Sequence, residues 1–142
     1  MLPDSELLTG GPVLGAILLV DDEPSLLRVT ARIIHRLGYS TLEAGSGDEA
    51  VRIAGGVGEP LAMMVTDVVM AGMDGMEAAE EVLKIQGEIP VLFVSGHDLE
   101  ALVRRHGLSP SADFLQKPFT PAQLSSKLRE MLSRVEPALV KE

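Results

Sequence analysis

The chain has 142 residues, enough for one ordinary domain with a sizeable core, and a composition of 46% hydrophobic and 23% charged residues, which is that of a folded protein. Its formal net charge of −9 argues against nonspecific nucleic-acid binding, which needs surplus Lys and Arg to displace phosphate counterions, and its longest apolar run, 13–20, is too short to span a bilayer. There is no Cys for a disulfide framework or a Cys-held metal, and Asp4 and Glu6 stand where a secretion signal would be positive, so a cytoplasmic location is expected.

Residues 1–14, with Pro3, Gly10, Gly11 and Pro12, read as a flexible lead-in or linker, 15–136 as one folded domain, and 137–142 as a tail. The first strand is Ala16 to Val20. A helix opens on Pro24, whose missing N–H costs nothing in a first turn, and stops at Gly38. Its core stripe is Leu27, Ala31, Ile34 and Leu37, with a second stripe of Leu26, Val29 and Ile33 beside it. Tyr39 to Ala44 is a strand, Ser46 caps a short helix to about Ala54, and 55–60 is a turn. Leu61 to Val65 is apolar enough for a strand buried on both faces, and Asp67 lies at its carboxyl end. A helix starts near Asp74 and fades by Gly87. Pro90 to Val94 is a strand, Asp98 to His106 a helix stopped by Gly107, and Ala112 to Gln116 the fifth strand. Thr120 and Pro121 then begin a helix to about Val135. Five strand–helix units in succession imply a parallel sheet covered on both faces, with no room left for a second domain.

The polar residues gather just past the strands. Asp21 and Asp22 come after the first, Asp67 after the third, Ser95 after the fourth and Lys117 after the fifth. Right-handed crossovers bring all of these to one edge of the sheet. Clustered carboxylates resist ionising together unless a cation joins them, and an oxygen-only donor set suits a hard divalent ion, Mg²⁺ first and Mn²⁺ as its substitute. A lysine and a hydroxyl facing such an ion form a clamp for phosphoryl oxygens.

The segments Ile17–Pro24, Thr66–Met70 with Gly72–Gly75, Val94–Gly96 and Lys117–Phe119 resemble, in this order, the receiver domain of two-component response regulators. The resemblance covers about 16–135. It implies a flavodoxin-like doubly wound fold, a five-stranded parallel sheet of order 2-1-3-4-5. It further implies that Asp67 is the phosphoacceptor for a sensor histidine kinase or histidine phosphotransfer protein. Asp22, Asp67 and the Val69 backbone carbonyl would hold Mg²⁺, with Asp21 acting directly or through water. Lys117 and Ser95 would meet the phosphoryl group, Ser95 and Phe114 would form a switch, and the Lys117–Pro118 bond would be cis. Output would pass through the fourth helix, fifth strand and fifth helix, the surface on which a weak dimer would form if the chain is not a monomer.

On that reading the stripe of Leu26, Val29 and Ile33 is either part of the core or the surface that docks a kinase helix bundle, with docking preferred, and Val69, which offers nothing to orient a water, favours a long-lived phosphoryl group. Asp74 is read as a helix cap, and Met63, Met64, Met70, Met73 and Met76 as filling. The run 91–97 inclines the reading towards a receiver taken from a hybrid kinase over a stand-alone regulator. Two rivals stand. An Asp-nucleophile phosphatase would want a second Asp where Val69 stands, and a non-phosphorylated pseudo-receiver would have no need of the Asp21, Asp22, Asp67 and Lys117 set.

Overall fold

A computed structural model describes residues 15–135. The lead-in of 1–14, residue 136 and the tail of 137–142 lie outside the described residues. The elements are β1 (Ala16–Val20), α1 (Pro24–Arg36), β2 (Ser40–Ala44), α2 (Gly47–Gly56), β3 (Leu61–Asp67), α3 (Gly75–Gln86), β4 (Val91–Ser95), α4 (Leu99–His106), β5 (Asp113–Gln116) and α5 (Pro121–Val135). All strand pairs are parallel and the sheet order is β2-β1-β3-β4-β5, the flavodoxin-like doubly wound arrangement.

The alternation of side chains along each strand divides the core in two. Ile17, Leu19, Met63, Val65, Leu92 and Val94 face α1 and α5, where they meet Leu27, Ile34, Leu124 and Leu128. Leu18, Val20 and Met64 point the other way, onto the small Ala50, Ala54, Ala78 and Ala79 of α2 and α3. Because both faces are covered, the central strands are continuous apolar runs, and each fully buried Leu, Ile or Met favours the fold by about 1.5–3 kcal/mol. A third, smaller cluster gathers Val68, Leu102 and Leu108, with Phe114 and Met76 half-buried against it.

Helix starts obey local chemistry. Ser46 Oγ accepts from Glu49 N at 3.1 Å, Asp74 and Glu77 form a reciprocal capping box, and Thr120 and Gln123 bond each other's backbone N–H. Two expectations need correction. The turn expected over 55–60 begins later, because α2 continues through Gly55 and Gly56; Gln86 Nε2 donates to the Ala54 carbonyl at 3.2 Å and so holds the last turn. The second stripe of α1 is not one surface either. Ile33 is core at 6% exposure, Leu26 is half-buried, and only Val29, at 48%, is open. Ile33 joins the cluster that includes Leu27, Ala31 and Ile34 of the same helix.

Candidate functional site

Asp21 leaves β1 with its N–H still bonded to Ala44 O at 3.1 Å, so the sheet ladder holds its backbone. Its Oδ1 accepts from Glu23 N at 3.0 Å, and α1 begins with no side-chain cap at Glu23. The acidic run is therefore not a helix cap. Asp67 ends β3 and Ser95 ends β4, and Lys117 N donates to Ser95 O at 2.8 Å one residue past β5. Four strand ends thus deliver these residues to one edge.

Lys117 Nζ donates to Asp21 Oδ2 at 2.9 Å and to Asp67 Oδ2 at 3.1 Å, among side chains only 18%, 10% and 11% exposed. Asp22 is exposed beside them, and the carboxylates of Asp21, Asp22 and Asp67 each bring an oxygen to within 4.8 Å of the others. Burial raises the Asp67 pKa above its ordinary 3.8; Lys117 pulls it down, and the Asp21 and Asp22 charges push it further up. Burial works against the charged form of Lys117 as well, yet its bonds to Asp21 and Asp67 prevail and raise its pKa above 10.5.

Three carboxylates against one ammonium leave negative charge in excess, and all of the donors are oxygen. That set fits Mg²⁺ or Mn²⁺ and has no place for a softer ion that prefers sulfur or imidazole. Val69 follows in the β3–α3 loop and is 39% exposed, and among the described residues its carbonyl accepts no hydrogen bond. It is a free oxygen beside the cluster in sequence. A cavity of about 20 Å³, room for one water, is lined by Asp21, Thr30, Val94, Lys117 and Phe119.

Ser95 is 1% exposed, and its Oγ accepts from His97 N at 3.1 Å. Phe114 is half-buried on β5, paired in register with Phe93, and packs with the Leu102 and Leu108 cluster of α4 and its adjoining loop. The Lys117–Pro118 peptide is cis. His97 and His106 are exposed, with ring centroids 6.3 Å apart.

Thr66 and Gly75 stand in the segments that carry the resemblance, but their roles at Asp67 escaped the sequence reading. Thr66, fully buried, donates its hydroxyl to Asp67 O at 3.0 Å. Gly75 lies so close that a Cβ on it would overlap that same carbonyl oxygen. A threonine inside an apolar strand was the available signal.

The family model for the response regulator receiver domain matches residues 17–129. Sensor kinase CckA of Brucella abortus is 36% identical over 118 residues, which make up 83% of this chain and 12% of that protein. The chain spans no more than about half the length of the curated relatives it matches first. Among solved structures, the receiver domain of the hybrid histidine kinase CckA is 31% identical, with 83% of this chain and 99% of that one covered and a TM-score of 0.70. The receiver domain of sensor histidine kinase PA1611 from Pseudomonas aeruginosa is 25% identical, with coverage of 84% and 98% and a TM-score of 0.72. It holds a magnesium ion coordinated in its active-site cleft.

Proposed function

This chain belongs to the response regulator receiver domain family, and on that premise we propose that Asp67 accepts a phosphoryl group from the phosphohistidine of a sensor histidine kinase or a histidine phosphotransfer protein. The receiver unit is 15–136, flanked by a lead-in and a tail, and it works in the cytoplasm. It is a signalling domain that promotes its own phosphorylation and dephosphorylation; it does not turn over an external substrate.

Asp67 attacks the phosphorus from the side opposite the donor imidazole. One carboxylate oxygen forms the new P–O bond as the P–N bond breaks, and the departing imidazole nitrogen takes a proton from solvent. No general base is needed, since the carboxylate is the reactive form. Lys117 holds Asp67 in place beforehand and meets the negative oxygens of the incoming group. Ser95 donates its hydroxyl to one of them. Asp22, Asp67 and the Val69 carbonyl, with Asp21 directly or through water, would hold Mg²⁺, which supplies charge neutralisation on the phosphoryl oxygens. Everything else is positioning by the chain itself.

The acyl phosphate adds about 1.5–2 negative charges at the edge. Ser95 turning towards it gives up the bond from His97 N, and Phe114 moves into the space released, altering the α4–β5–α5 face on which an effector or a second copy docks. Val69 leaves hydrolysis slow. The observation that carries this reading is the ammonium of Lys117 bonded to both Asp21 and Asp67. Phosphoramidate and Mg²⁺ test it by mass spectrometry. One added phosphoryl group on the wild type and none on Asp67→Asn is the expected result. No addition to either would favour the pseudo-receiver, and steady release of phosphate from small phosphomonoesters the phosphatase.

A further inference from the structure

We infer that Thr66 and Gly75 are positioning residues for Asp67, both closing on the backbone carbonyl of the acceptor. The inference rests on the phosphoacceptor reading and adds to it a pair of residues that never touch the phosphoryl group.

The face of β3 that carries Thr66 is otherwise apolar. In register Thr66 lies between Val20 of β1 and Phe93 of β4, above the alanines of α2 and α3. A hydroxyl placed there without a partner would be unfavourable, and a valine of the same shape would pack as well. Among the described residues the hydroxyl has one partner, the Asp67 carbonyl at 3.0 Å, and Thr66 has no exposed surface. That carbonyl belongs to the peptide joining Asp67 to Val68, so its orientation sets the direction in which the chain leaves the acceptor.

The first turn of α3 closes on the same carbonyl. A Cβ at Gly75 would overlap the Asp67 oxygen, and it would stand 2.9 Å from the Asp67 carbonyl carbon and 3.0 Å from Val68 Cα. Gly75 N donates to Val68 O at 2.8 Å. Two successive carbonyls are therefore fixed, one by the Thr66 hydroxyl and the next by the Gly75 N–H. The capping box of Asp74 and Glu77 holds the helix start that supplies the second of these bonds. Asp67 is held through its main chain before Lys117 takes its side chain. Misplacing a reacting group by about 1 Å costs on the order of 10²-fold in rate, so a smaller rotation of this one peptide is worth roughly tenfold.

The test compares Thr66→Val with Thr66→Ser in the full chain, since neither change disturbs the shape of the apolar layer much. With phosphoramidate and saturating Mg²⁺, Thr66→Val lowers the maximal rate of Asp67 phosphorylation about tenfold and leaves the KM for phosphoramidate unchanged, while Thr66→Ser restores the rate. In the metal-free protein, the amide ¹⁵N resonance of Val68, on the gripped peptide, moves upfield in Thr66→Val and stays in place in Thr66→Ser. Gly75→Ala, if it folds, loses more rate than Thr66→Val. An unchanged rate in Thr66→Val, an unchanged Val68 resonance, or a serine variant as slow as the valine one would overturn the inference. Should the wild type itself take no phosphate, the acceptor reading fails, and the Val68 resonance decides the grip alone.

Discussion

The ammonium of Lys117 lies 3.1 Å from Oδ2 of Asp67, fifty residues away in the chain, and it is shared with Asp21 at 2.9 Å. One cation thus stands among three carboxylates, two of them nearly out of solvent. The resting site is short of positive charge, which makes it receptive to a divalent ion and gives each of its members a stability consequence that can be measured without any phosphodonor.

Asp67→Asn should make the metal-free protein more stable while abolishing phosphate acceptance. Burial and the neighbouring acids outweigh Lys117 at this carboxylate, so its ionised form is a burden on the native state. The amide keeps the shape and loses the charge, and Lys117 retains Asp21. Thermal denaturation without metal is expected to show a higher Tm for Asp67→Asn than for the wild type. A fall in Tm would mean that the Lys117 bond dominates.

That gain must also depend on pH. A carboxyl whose pKa is raised on folding binds its proton more tightly in the native state. Ionised Asp67 therefore costs stability at neutral pH, and the cost fades as pH falls through its native pKa towards 3.8. The advantage of Asp67→Asn over wild type should accordingly be full near pH 7 and shrink as pH falls. Lys117 acts at the other end: its contribution is complete below 10.5 and is lost as pH rises through its raised native pKa. Urea denaturation of the metal-free proteins across both ranges would show this, and a pH-independent difference between the two proteins would contradict it.

The sheet was legible in the sequence because burial on both faces leaves unbroken apolar runs such as Ile17–Val20, and because Ser46, Asp74 and Thr120 announce their helices through backbone bonds that are local. The convergence of Asp21, Asp22, Asp67 and Lys117 was legible for a topological reason: parallel strands put every carboxyl end on one edge. The hidden part depends on distant partners. Nothing local says that the carbonyl of Ala54 is held by Gln86, so α2 looked finished before Gly55. Helical spacing shows Leu26, Val29 and Ile33 as one stripe and cannot say which of them meets the sheet. The role of Gly75 is likewise set by a helix that returns to the strand end from eight residues further on, whereas the Thr66 hydroxyl bonds the very next residue and was hidden only because a threonine fits an apolar strand as well as a valine does.

Gln86 offers a test of that hidden layer. Its Oε1 accepts from Leu61 N at 2.7 Å and its Nε2 donates to Ala54 O at 3.2 Å, so one amide ties the end of α3 to the start of β3 and the end of α2. Gln86→Ala leaves a backbone N–H and a carbonyl unpaired in partly buried surroundings, a loss of about 1–3 kcal/mol. All of it lies at the amino ends of the strands, opposite the acidic edge. Denaturation should show the loss, while phosphorylation by phosphoramidate proceeds at the wild-type rate. A parallel loss of rate would show that the two edges are coupled.

Lys117→Met should leave Asp21 and Asp67 facing each other with no cation between them, and the metal-free protein should lose about 1–3 kcal/mol. Mg²⁺ should then restore more than it adds to the wild type. In the wild type an entering ion must share the carboxylates with the ammonium, whereas in the variant it meets them unopposed and binds more tightly. An ion that binds only the folded state stabilises by about 2.7 kcal/mol at a hundred times its Kd, so tighter binding reads directly as a larger rise in Tm at equal Mg²⁺ concentration. A monovalent salt at the same ionic strength controls for general screening and should produce little of the rise. Equal Mg²⁺ increments in the two proteins would mean that the ion is not held by the carboxylates that Lys117 bridges.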